Sequence, residues 1–212
     1  MTIEISAYSW VPAFAQGYVR DLRVRWALEE AGLPYEATLL DAREPKTPAY
    51  RQWQPFGQVP AYRDGEVELF ESGAIVLHIA AKSEALAPRD PVAQAQVTTW
   101  VIAALNSIEP FAQNQNQLGP DAGAAWTNQV KAALDQRLSS FSEWLGDKDY
   151  LVDGRFTAGD LIMVTVLREL VECGTLARFA NLDAYRQRGE ARPAFGRALA
   201  AQMKPFRENA SV

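Results

Sequence analysis

At 212 residues, with 48% hydrophobic and 22% charged side chains, the chain has a globular composition and enough length for one large domain or two small ones. A net charge of −5, from 21 basic against 26 acidic residues, argues against a nucleic-acid surface, which needs a basic patch. One cysteine, Cys173, and one histidine, His78, exclude an internal disulfide framework and a Cys/His metal site, and fit a reducing cytoplasm. Residues 1–6 carry no basic and apolar leader pattern, and no apolar run approaches the roughly 18 residues a membrane helix needs, so a cytoplasmic protein with no membrane segment is expected.

Residues 3–8 alternate as a short strand with Ile3 and Ile5 on one face. Residues 9–19 read as a loop broken by Pro12 and Gly17. Asp21 can cap a helix that runs to about residue 31 and stops at Gly32, with Val24, Ala27, Leu28 and Ala31 on its core face. A strand over 34–40 follows, then a polar, proline-punctuated stretch over 41–53 with one short helix. Val59–Pro60, after Gly57, opens an apolar strand; Asp64–Gly65 is a hairpin turn signal; Ser72 is a natural N-cap for a helix to about residue 82. The order βαβ then ββα predicts a mixed sheet with helices on its faces.

Residues 83–91 break the periodicity with two prolines and read as a linker. Helices are predicted over 92–112, 124–145, 161–171 and 193–207, with a polar turn over 114–123. The division is therefore residues 1–82, a linker over 83–91, and an all-helical domain over 92–212. Thr157 and Asp160 form a capping box at the start of the third of these helices, with Phe156 and Leu161 at the staple positions. Their role is structural, on the scale of one lost cap, about 0.5–2 kcal/mol. His78 is expected in packing, and Cys173 as a buried, inert thiol.

The stretch 54–79 carries the chemistry. An extended segment before Pro60 offers backbone N–H and C=O groups to a ligand, as in strand addition. The start of the Ser72 helix suits a carboxylate, and Glu71 beside it suits an ammonium group. A ligand with both groups at one end fits; an ordinary hairpin followed by a capped helix fits the same residues. Gln58 is placed to touch the ligand's backbone.

Gly57-Gln58-Val59-Pro60 followed by Glu71-Ser72-x-Ala74-Ile75 resembles the glutathione-binding half of the soluble, cytosolic-type glutathione transferases of bacteria. The runs 156–161 and 192–195 are similar to theirs too, so the resemblance covers nearly the whole chain. It implies an α/β thioredoxin-like N-terminal domain followed by an α-helical bundle with a hydrophobic substrate pocket. It also implies a cis bond at Pro60, a Val59 backbone paired with the cysteinyl part of glutathione, and Glu71 and Ser72 on the γ-glutamyl end. The family's catalytic tyrosine, serine or cysteine follows the first strand and stabilises the thiolate. Here that loop departs from the pattern by being several residues longer. Counting back from the first helix places Tyr18 at the catalytic position; counting forward from the strand favours Tyr8, Ser9 or Trp10. Tyr18 is the first candidate and Ser9 the second. No cysteine stands in the loop, against cysteine-type thiol exchange. The implied activity is glutathione transfer to a small hydrophobic electrophile, in detoxification, with peroxide as a further acceptor. Glutathione would be the co-substrate, no metal is needed, and a homodimer is implied. The competing reading is a glutathione-binding regulator or carrier without turnover.

Overall fold

The computed structural model describes residues 2–119, 121 and 123–209. Met1, residues 210–212, and Pro120 and Ala122 of the expected turn lie outside the described residues. The chain forms two compact units, Met1–Leu86 with Arg192–Val212, and Ala87–Ala191. The helix after Arg192 joins the first unit, whereas the expected division counted it with the all-helical domain.

The first unit starts with β1 (Ile3–Trp10), α1 (Asp21–Ala31), β2 (Tyr35–Asp41), α2 (Pro48–Trp53), β3 (Ala61–Asp64), β4 (Val67–Phe70) and α3 (Ser72–Ala80). The strands form one mixed sheet in the order β2-β1-β3-β4, with β1 parallel to β2 and antiparallel to β3. The Asp64–Gly65 signal is realised as the β3–β4 hairpin, closed by the pair Asp64–Val67, with Gly65 at φ +62°, a region glycine enters without strain. Successive strand residues face opposite sides. Ala61 packs with Tyr50 and Trp53 of α2, while Tyr62 lies edge-on to His78 of α3 at 5.5 Å. The sheet therefore carries α2 on one face and α3 on the other, the thioredoxin-like arrangement. His78 is packed as expected, and burial lowers its pKa.

Two local expectations change. β1 runs on to Trp10, which pairs with Asp41 of β2 after an irregularity that leaves Ser9 without a partner in the register, so the loop to α1 is shorter than its sequence suggests. Asp21 does not cap α1: Arg20 occupies the N-cap, and Asp21 is the first helical residue, buried against Arg25 at 2.7 Å. Burial raises the Asp21 pKa, and the Arg25 guanidinium opposes that rise.

Among the described residues, the regular elements of the second unit are all helices, apart from an isolated bridge between Val152 and Arg155. α4 (Pro91–Ala103) is capped by Asp90, whose carboxylate accepts the Ala93 N–H at 2.9 Å. It passes through a wider turn over Ala104–Ile108 into α5 (Glu109–Asn116), where one continuous helix was expected. α6 (Ala124–Leu145) buries Val130, Leu134, Leu138, Phe141 and Leu145, the stripe its spacing predicts. α7 (Ala158–Arg168) is buried from Ala158 to Leu167, and α8 (Ala180–Glu190) packs on it with Gly189 against Val164. A Cβ at Gly189 would meet Val164 Cγ2 at 2.6 Å, so glycine is needed for the close approach. Cys173 is exposed rather than buried: it follows the end of α7, where Val171–Gly174 have turned outward.

α9 (Pro193–Glu208) belongs to the first unit through α1. Phe195 packs edge-on to Trp26 at 4.9 Å, Gln202 donates to the Asp21 carboxylate at 2.6 Å, and Arg192 and Arg197 pair with Glu30 and Glu29 at 2.6 Å each.

Candidate functional site

The ends of the sheet elements bring the expected residues together. Ala61 pairs with Phe70, so Val59–Pro60 and Glu71–Ser72 leave the hairpin at the same end. β1 pairs with β3 through Ile5–Tyr62, and the same direction carries Tyr8 toward that end. The Val59–Pro60 bond is cis. Val59 is 7% exposed, and among the described residues its N–H and C=O take no hydrogen bond. Gln58 is exposed, and its own N–H donates to Gln54 Oε1 at 3.3 Å.

The start of α3 differs from the expectation at one residue. The N-cap is Glu71, not Ser72, and Glu71 makes no side-chain cap bond. Its backbone sits at φ +68°, a costly region for a residue with a Cβ. Ser72 is the first helical residue and is buried. Arg23 of α1, itself buried, donates from Nη1 to Ser72 Oγ at 3.3 Å. One acceptor lone pair of the serine is thus engaged while its proton remains available for an anion.

The segment between β1 and α1 holds the hydroxyls. Ser9 donates to the Leu40 carbonyl at 3.3 Å, across to β2. Tyr18 is half-buried, three residues before α1, with its N–H on the Ala15 carbonyl at 3.1 Å. Tyr8 is half-buried under the Lys46 ammonium, 5.4 Å from its ring centre. Burial first, and then the Asp21 carboxylate, raise the Tyr8 pKa, so at neutral pH its hydroxyl is a donor. Lys46 also reaches the carbonyls of Asp41 and Glu44 at 2.6 and 2.8 Å, which folds the 41–46 loop beside the end of β1.

Four contributors were not legible as site residues: Arg23, Lys46, Ser6 and Tyr50. Ser6 and Tyr50 form a buried relay beneath the Val59–Pro60 segment. Tyr50 Oη donates to the Gln58 carbonyl at 2.5 Å, so Ser6 Oγ donates to Tyr50 Oη at 2.8 Å and accepts the Ala61 N–H at 2.7 Å. No spacing rule links residues 6 and 50; a Thr47-Pro48 helix start, with Thr47 Oγ1 accepting the Tyr50 N–H, is the one local signal that α2 would place a tyrosine there.

Residues 14–81 match the family model for the glutathione S-transferase N-terminal domain, and residues 100–193 match the one for its C-terminal domain. Glutathione S-transferase 1 of Zea mays is 33% identical over 180 residues, covering 77% of this chain and 80% of that one. A glutathione S-transferase of Hyoscyamus muticus is 28% identical over 84% of this chain and 92% of its own length. Among solved structures, a glutathione transferase of Burkholderia graminis with two glutathione molecules bound per subunit superposes with a TM-score of 0.80 at 22% identity, covering 94% of this chain and 88% of that one. These sequence relatives are plant proteins, so the similarity supports the soluble family and not the bacterial restriction expected above.

Proposed function

The chain belongs to the glutathione S-transferase family, and from that premise we propose that its first unit binds glutathione and activates the thiol for attack on a small hydrophobic electrophile. Val59 pairs its unpartnered N–H and C=O with the cysteinyl residue of the tripeptide. Ser72 donates its hydroxyl proton to the γ-glutamyl carboxylate, Glu71 takes the ammonium, and Gln58 borders the ligand. The Arg23–Ser72 contact carries this reading: a buried cation behind a serine at an uncapped helix start favours an anion in front of it. The thiolate sulfur forms the new bond to carbon, and the leaving group departs with the electron pair. The same thiolate can attack a peroxide oxygen. The setting is cytoplasmic detoxification by a homodimer.

Tyr18 is proposed as the hydroxyl that stabilises the thiolate, on its place just before α1. Tyr8 is the second candidate, because the sheet carries it toward Val59 and burial keeps it protonated. Glutathione binding without turnover is the competing reading, and one observation favours it: the Ser9 hydroxyl is already spent on Leu40. The test is the thiolate absorbance of bound glutathione, titrated against pH in wild type, Tyr18→Phe, Tyr8→Phe and Ser9→Ala. The wild type should hold thiolate at neutral pH, and Tyr18→Phe should move the transition to higher pH, because a donor to S⁻ is gone. A shift confined to Tyr8→Phe or to Ser9→Ala transfers the role. Bound glutathione with no thiolate in wild type supports the non-catalytic reading, and no bound glutathione overturns the proposal.

A further inference from the structure

We propose that Ser6 and Tyr50 are positioning residues that hold the Val59 backbone ready for the ligand's peptide; the inference rests on the glutathione reading of the site. Registered pairing between β1 and β3 stops at Ile5–Tyr62. At the next position, the Ala61 N–H goes to the Ser6 side chain at 2.7 Å instead of continuing the ladder with main chain. The serine is fully buried, and a buried hydroxyl must be satisfied. It is satisfied by Tyr50, which in turn donates to the carbonyl of Gln58.

The relay has one possible proton order. Ala61 N–H donates to Ser6, Ser6 to Tyr50, and Tyr50 to Gln58, so both hydroxyl protons are committed. It fastens the peptide groups on the two sides of Val59–Pro60 and leaves the polar groups of Val59 itself unpartnered. A segment held this way loses little freedom when a peptide pairs with it, which is the advantage of preorganisation. Burial raises the Tyr50 pKa, so the relay keeps its protons through the neutral and mildly alkaline range.

The test is calorimetric titration with glutathione and with S-methylglutathione, which has no thiol proton. The proteins are wild type, Tyr50→Phe, Ser6→Ala and the double variant, each first shown to be folded at the working temperature by its thermal transition. Tyr50→Phe keeps the ring in the α2 core. It should weaken both ligands about fivefold, the scale of one hydrogen bond, by the same factor at pH 6 and pH 9. The double variant should be little worse than the worse single variant, since one chain is cut in either case. If Ser6→Ala does not fold, Tyr50→Phe decides alone. Wild-type affinity in folded Tyr50→Phe overturns the clamp and leaves the glutathione reading standing. A loss confined to glutathione and varying with pH also overturns it, because Tyr50 would then act on the thiol. Failure of the wild type to bind either ligand overturns the glutathione reading and the clamp with it.

Discussion

The α7 and α3 helices each start beside a hydroxyl residue and a carboxylate, and they use them in opposite ways. At α7 the Thr157 side chain accepts the Asp160 N–H, and the Asp160 carboxylate takes back the Thr157 N–H at 2.8 Å. The same carboxylate also accepts Thr157 Oγ1, the Leu151 N–H and Tyr185 Oη, at 2.8, 2.9 and 2.9 Å. Every donor in reach is consumed inside the fold. At α3, Glu71 stands exposed in the N-cap with a strained backbone and no cap bond, and Ser72 keeps its proton. The first turn of any helix needs partners for its amides. Where the chain supplies them the result is stability; where it withholds them and accepts strain, as at α3, the helix start fits the proposed ligand.

The largest effect should come from closing off the contrast at α7. Asp160→Asn keeps one acceptor oxygen and turns the other into an NH2 group, which sets a donor against two of the four buried donors, and should destabilise the second unit by about 3 kcal/mol or more, read from chemical denaturation. Glutathione affinity should not follow. A stability loss below 1 kcal/mol would mean that the buried network is dispensable and the contrast is one of appearance. At α3 the ranking should reverse. Ser72→Ala should lose about 1.5–3 kcal/mol of glutathione affinity, the scale of a hydrogen bond to a charged group, with a smaller change in the denaturation midpoint. Equal losses of affinity and stability would show Ser72 to be an ordinary structural residue.

The smallest effect lies in the exposed loop beside the site. Arg43 pairs with Asp41 at 2.7 Å and holds its carboxyl pKa at about 2. Because the folded value lies below the ordinary one, any stabilisation is present above the ordinary carboxyl pKa and is lost as pH falls through about 2. Both groups are solvent-exposed, so the readout is the Asp41 carboxyl resonance. Its midpoint should rise toward the ordinary carboxyl value in Arg43→Gln without reaching it, because the backbone N–H of residue 43 and the Lys46 ammonium still favour the carboxylate. An unchanged midpoint would remove the pair as the cause.

Local signals carried the parts of the fold that local chemistry decides. Asp64–Gly65 made its hairpin, Gly32 ended α1 with φ +66°, and the α6 stripe faced inward. Thr157 and Asp160 were legible as a capping box, but the added bonds to Leu151 and Tyr185 were not, since residues 9 and 25 positions away leave no trace in spacing. For that reason the cost of losing Asp160 is larger than a cap alone suggests. α8 was missed because its surface is polar, with Arg186, Gln187 and Arg188 in sequence and little apolar periodicity. The strand through Ser9 and Trp10 was missed because Pro12 and Gly17 mark the neighbouring turn more strongly than two polar or aromatic residues mark an edge pairing. Val59, Glu71 and Ser72 were readable together because one hairpin carries them. Arg23, Ser6 and Tyr50 reach the same place from separate elements, and only packing reveals it.

The return of α9 to α1 has a consequence for the protein while it is still being made. The partner of the buried Asp21–Arg25 pair, Gln202, and the partners of Glu29 and Glu30 leave the ribosome only after the whole of Ala87–Ala191 has been translated. Until then, the nascent first unit lacks the residues that complete its polar interior and cover Trp26. The helix that sets Arg23 behind Ser72 is therefore among the earliest elements to be synthesised and among the last to be secured.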